Sequence, residues 1–254
     1  VETDCTGAFS LTLPAGSHEL LVEATGYESR RIPLAAQSAV TATIALTPTW
    51  DYLVADSRSG DVVFQWIDAT GGQRYDLDDD DSQWFMLPAA KTFTFYGRDF
   101  SDLYLTSNGL LTFGEPFDRF HGVIPYEGQP NNAIYAYAED LNPAANRDYN
   151  TGYDNGIYTH YDAQGGRLIV QYNEVEHWSR GNPETFEAIL HLATGQITLQ
   201  YQQVSWPDYA TVGVEDATGL RGIPYSYANS ADLQAELAVR FTPVFGQPGS
   251  TCRQ

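Results

Sequence analysis

Hydrophobic residues recur in steps of two across residues 93–113, FTFYGRDFSDLYLTSNGLLTF. Phe93, Phe95, Leu103, Leu105, Leu111 and Phe113 alternate with small or polar neighbours, which is the period of half-buried strands. Gly97 and Asn108-Gly109 punctuate the run. Asn-Gly between alternating apolar residues predicts a tight hairpin, because a type I′ turn needs two residues at φ > 0. The stretch reads as strand, turn, strand, hairpin, strand. It makes a sheet, and nothing in it needs to be catalytic.

The same period continues on both sides. Phe9, Leu11 and Leu13 alternate, then Leu20, Val22 and Ala24, and VTATIALTP (40–48) reads as a strand closing a first unit. Turns fall at Thr6-Gly7, Pro14-Ala15-Gly16 and Thr25-Gly26. A second unit follows Thr47-Pro48-Thr49 directly. Its opening alternates around Val63–Ile67 and turns at Gly71-Gly72. Further strands are expected at 134–137, within NNAIYAYAEDLNP (131–143), at 166–178 and 210–227 and at the closing run 236–243; residues 184–204 form a hairpin turning at Thr194-Gly195. The fold class is therefore all-β: a small partial β-sandwich over 1–48, a larger antiparallel β-sandwich over 49–243 and a tail over 244–254.

Two groups of motifs resemble known families. Thr3-Asp4-x-x-Gly7-x-Phe9, Leu13-Pro14-Ala15-Gly16 and Gly26-Tyr27 resemble the carboxypeptidase regulatory-like domain, a small seven-stranded sandwich. Its members usually have one or two strands before the first of these motifs. The resemblance thus implies either that the chain is cut within the domain or that another chain supplies those strands. A longer series covers about 190 residues: Phe93-x-Phe95-Tyr96-Gly97, Ser107-Asn108-Gly109-x-x-x-Phe113, Asp140-Leu141-Asn142-Pro143, Phe186-x-x-Ile189-Leu190, Gly195-x-Ile197, Gln200-Tyr201 and Val212-Gly213-Val214-Glu215. It resembles an all-β domain found beside subtilisin-like proteases in large secreted bacterial proteins, similar to the NIDO domain of animal matrix proteins. That family often carries Trp-Asp-Asp-Leu where this chain has Ala138-Glu139-Asp140-Leu141. The resemblance implies an accessory, non-catalytic module.

Charge narrows the partners. Thirteen Lys and Arg face 33 Asp and Glu, a net charge of −20, and Lys91 is the only lysine. Such a surface repels nucleic acid and anionic membrane. It suits cation binding, or a salty, extracellular or cell-surface setting. No run of eighteen apolar residues spans a membrane. The chain starts at Val1 with no signal peptide and reads as a mature or excised piece. Cys5 and Cys252 lie near opposite ends; they either form a disulfide with each other, stay free, or bond to other segments.

Candidate chemistry is acidic. Asp76, Asp78, Asp79, Asp80 and Asp81 crowd one loop, and Glu139, Asp140, Asn142, Asp148, Asp154 and Asn155 sit in another. Hard oxygen ligands on loops suit structural calcium, though the spacing is not that of an EF-hand. No nucleophile elbow, His-Glu-x-x-His or phosphate-binding glycine loop is present, and the chain is not expected to be an enzyme. His177, with Glu174 and Glu176 nearby, reads as a solvated strand end rather than a site. Trp178, Trp206, Tyr149 and Tyr153 lie in polar, turn-flanked contexts, where aromatic faces stack on sugars or anchor interfaces. Three functions follow as expectations. The first is a non-catalytic extracellular module for adhesion, substrate presentation or spacing. The second is a filament or surface-assembly subunit completed by strand addition from a neighbouring protein. The third is a module that binds or cleaves polysaccharide.

Overall fold

A computed structural model describes residues 3, 7–37, 41–88, 90–120, 122–145, 155–178 and 180–246. Cys5, Cys252, Asp148, Asp154, Tyr149 and Tyr153 lie outside the described residues. The chain divides into two compact units, Val1–Leu53 with Pro243–Gln254, and Val54–Thr242. Among the described residues, all regular structure is extended except one 3-10 turn at Pro207–Tyr209.

In chain order the strands are β1 (Gly16–Val22), β2 (Arg30–Ala36), β3 (Trp50–Asp56), β4 (Gln73–Tyr75), β5 (Ser82–Met86), β6 (Phe93–Phe95), β7 (Arg98–Phe100), β8 (Asp102–Thr106) and β9 (Leu110–Thr112). There follow β10 (Ala133–Ala138), β11 (Leu141–Asn142), β12 (Gly156–Asp162), β13 (Arg167–His177), β14 (Gly181–His191), β15 (Gln196–Gln203), β16 (Thr211–Glu215), β17 (Gly222–Tyr227) and β18 (Leu237–Phe245).

In the first unit β1 and β2 pair antiparallel, from Gly16 opposite Ala36 to Val22 opposite Arg30. Two expected strands do not form among the described residues. Residues 7–14 and 41–47 form no ladder, and Pro48 makes only an isolated bridge to Tyr27. Alternation alone does not make a strand. It needs a partner in register, and with none Phe9 and Leu11 stay exposed.

In the second unit two antiparallel sheets dominate, ordered β17-β16-β10-β9-β8-β5 and β3-β18-β15-β14-β13-β12-β4, with β11 pairing β13. They pack as a β-sandwich. Tyrosines span the interior and give their hydroxyl protons to backbone carbonyls of the facing sheet: Tyr172 to Thr106 (2.8 Å) and Tyr201 to Ala136 (2.7 Å). Each thus buries a large apolar ring without leaving a polar atom unpaired. Phe186 stacks on Tyr172 (4.5 Å) and on Tyr137 (5.3 Å). Phe93, Phe95, Leu103, Leu105, Leu111 and Phe113 are all core residues.

Two turns differ from expectation in an informative way. The two-residue hairpin with both residues at positive φ is Tyr96-Gly97, joining β6 to β7 (φ 44° and 77°). Asn108-Gly109 instead lies in a three-residue loop, Ser107–Gly109, between β8 and β9, and only Gly109 has positive φ (75°). The alternating run Val63–Ile67 joins no ladder.

Candidate functional site

Asn108 is the hub of the site. Its side-chain oxygen accepts the Leu141 amide (2.8 Å) and its Nδ2 donates to Asp80 Oδ1 (2.8 Å). Its carbonyl accepts the Glu139 amide (3.4 Å). One amide side chain thus ties the loop after β4 to the loop after β10. Gly109 makes this possible: a Cβ there would overlap the Tyr137 carbonyl, whatever the side chain's rotamer.

The result joins the two acidic stretches. Carboxylate oxygens of Asp79, Asp80 and Asp140 all lie within 4.8 Å of one another. Asp80 has φ 47°, a left-handed conformation that Asp tolerates better than most residues. Asp79 Oδ1 is shielded from solvent and has no hydrogen-bond partner among the described residues. Burial and the neighbouring Asp80 charge raise the Asp79 carboxyl. Burial and the charges of Glu139, Asp79 and Asp80 raise Asp140, against a downward pull from His177.

The other acidic candidates are used elsewhere. Asp76 pairs with Arg74 (2.9 Å). Asp81 turns back on its own loop, accepting the Ser82 and Asp78 amides (2.7 and 3.3 Å). Asp78 is exposed. Asn142 caps the Ala144 amide (2.9 Å), and Asn155 donates to the Ala145 carbonyl (2.8 Å).

Glu139, next to Asp140, points to a second cluster beneath. His177 is 2 % exposed, with Nδ1 2.6 Å from Glu139 Oε2 and Nε2 2.8 Å from Glu184 Oε1. Burial alone would lower its pKa. The two carboxylates outweigh that and hold it at about 9, so it is an imidazolium at neutral pH. Glu184, itself fully buried, also accepts the amides of Ser205 (2.8 Å) and Trp206 (2.7 Å). Tyr137 donates its hydroxyl to the Trp206 carbonyl (2.7 Å).

His177 is therefore neither a solvated strand end nor a partner of Glu174 and Glu176. Shifts in the β13–β14 register at Val175 and His177 turn it inward, with Glu174 at φ 50° on the outside. Both ring nitrogens are occupied by carboxylates, so this imidazole offers no lone pair to a proton or a metal. Of the aromatic candidates, Trp178 is 48 % exposed and its amide donates to the Asp140 carbonyl (2.7 Å). Trp206 is half-buried beneath Arg180, whose guanidinium carbon lies 4.4 Å from the ring centroid and 5.6 Å from that of Tyr209.

Residues 52–248 match the family model described as NIDO related. The chain belongs to the NIDO-related family. The Asn108 hub, the acidic trio and the Glu139–His177–Glu184 cluster all lie inside the NIDO-related region. No curated protein and no solved structure matches the chain.

Proposed function

We propose that the chain is a non-catalytic accessory module of a larger secreted or cell-surface protein, serving adhesion, substrate presentation or spacing, with calcium as a structural ion. The convergence of Asp79, Asp80 and Asp140 carries this reading. Three carboxylates this close repel one another unless they gain protons or a cation, and all-oxygen ligands from flexible loops suit calcium better than magnesium. The solvent-shielded Asp79 Oδ1, without a hydrogen-bond partner among the described residues, supplies an oxygen ligand. Membership of the NIDO-related family supports an accessory role. The engagement of both His177 nitrogens removes the most obvious general base.

Thermal unfolding with millimolar calcium, with magnesium and with excess EGTA tests the ion. Calcium about a hundredfold above its Kd adds about 2.7 kcal/mol. For a unit of this size that raises Tm by roughly 5–10 °C. The expected result is such a shift with calcium only, abolished in Asp80→Asn and Asp140→Asn. Equal Tm values in calcium and EGTA would remove calcium from the reading.

A second reading, assembly by strand addition, draws on the first unit. There the β1–β2 sheet pairs with no third strand among the described residues. Sedimentation over a range of concentrations tests it, and a monomer at every concentration would sink it.

A further inference from the structure

The segment 63–69 crosses the outer face of the larger sheet without joining it, and a row of side chains holds it there. Gln200 on β15, Glu187 on β14 and Gln171 on β13 stand side by side, in register across three adjacent strands. Gln200 Oε1 accepts the Gln65 amide (2.5 Å), Glu187 Oε1 the Ile67 amide (3.3 Å) and Gln171 Oε1 the Ala69 amide (2.6 Å). Gln200 Nε2 donates to both the Gln65 carbonyl (2.7 Å) and Glu187 Oε1 (2.6 Å). Ile67 packs on the apolar patch of Ala69, Tyr158, Ile169 and Ile189. Every second amide of the segment is thus bound by a side chain rather than by a strand.

The middle member of the row differs from its neighbours. A third glutamine would make the same bond to the Ile67 amide; a carboxyl adds only a response to protons. Glu187 is fully buried and its Oε2 has no partner among the described residues. An anion there costs free energy while the segment is closed and regains water when it opens.

We propose that residues 63–69 are a strap that opens as Glu187 loses its proton, uncovering the outer face of the sheet. Burial raises the Glu187 carboxyl to about 8 against its bonds to Gln200 and the Ile67 amide. Of the charged groups on this face, Arg167 of β13 favours the anion and Asp68 of the strap opposes it. Burial and the charges of Arg167 and Arg240 lower the pKa of His191 of β14. His160 of β12 and Arg240 of β18 lie further out on the flanking strands. With the strap open the carboxyl returns to its ordinary value near 4.5. The closed form then binds the extra proton. Opening therefore becomes about tenfold easier per pH unit between about pH 5 and 8 and levels off above.

Native-state hydrogen exchange at the Gln65, Ile67 and Ala69 amides, corrected for the intrinsic rate at each pH, reads this directly on the unmodified protein. The expected result is a tenfold rise in opening per pH unit up to about pH 8, while the amides of β13–β15 stay protected. Glu187→Gln should keep the strap closed at every pH. A flat profile in the unmodified protein overturns the proposal. So does an unchanged slope in Glu187→Gln, or an opening free energy at the three amides equal to that of β13–β15, which would mean global rather than local opening.

Discussion

At the scale of single residues, Asn108 and Gly109 decide more than any acidic side chain. Asn108 spends its amide on Asp80 and Leu141, and Gly109 lets the loop lie against the Tyr137 carbonyl. Gly109→Ala meets a positive φ and a backbone overlap together. It should lower stability by about 2–4 kcal/mol in urea unfolding; a loss below 1 kcal/mol (about the cost of φ alone) would show that the loop can back away. His177 presents the opposite case, a charge that two buried carboxylates require. His177→Gln leaves Glu139 and Glu184 facing each other without a cation. About 3–5 kcal/mol should be lost, far more than for an exposed ion pair such as Arg31–Glu19. The same urea experiment on both variants compares the two.

At the scale of elements, the strands were legible wherever alternation met a partner. The runs 134–137, 166–178 and 184–204 fold within β10, as β13 and as the β14–β15 hairpin, because each is paired on both sides and its apolar face is enclosed. Residues 41–47 and 63–67 alternate as cleanly and join no ladder among the described residues. Pairing is a long-range fact that a local period does not contain. The site was legible by halves. Composition marked both acidic loops, but not that Asp79 and Asp80 of one would meet Asp140 of the other while Asp76 and Asp81 turned away. Asn-Gly read as turn chemistry, yet the amide is used to bridge loops. Glu184 had no signal at all, since its role depends on the 205–206 turn reaching back across the sheet.

At the scale of the whole molecule, most of the buried ionisable groups titrate in one direction. Burial holds Glu187 at about 8 and Glu215 at about 7, and paired carboxylates hold His177 at about 9. In each case the folded state keeps protons that the unfolded chain has released. Stability gained by His177 is complete below its ordinary 6.5 and is lost as pH rises through 9. The two glutamates cost nothing below their ordinary 4.5 and cost progressively more up to 8 and 7. All three lower stability as pH rises, by up to about 1.4 kcal/mol per pH unit for each group within its window. The net charge of −20 adds repulsion in the same direction. Urea midpoints should therefore be highest near pH 5 and fall steadily to pH 9, and a maximum at pH 8 would contradict this accounting.

The Asn108-Gly109 pair also bears on how the protein ages. Asn followed by Gly is the dipeptide most apt to cyclise and hydrolyse to aspartate, because glycine leaves the following amide free to attack the side chain. In the folded chain Asn108 is fully buried, and both ends of its amide are engaged. In an unfolded chain nothing protects it. One episode of unfolding can thus leave a permanent mark: an aspartate in place of the donor that Asp80 needs, and a loop that no longer closes when the rest of the chain refolds.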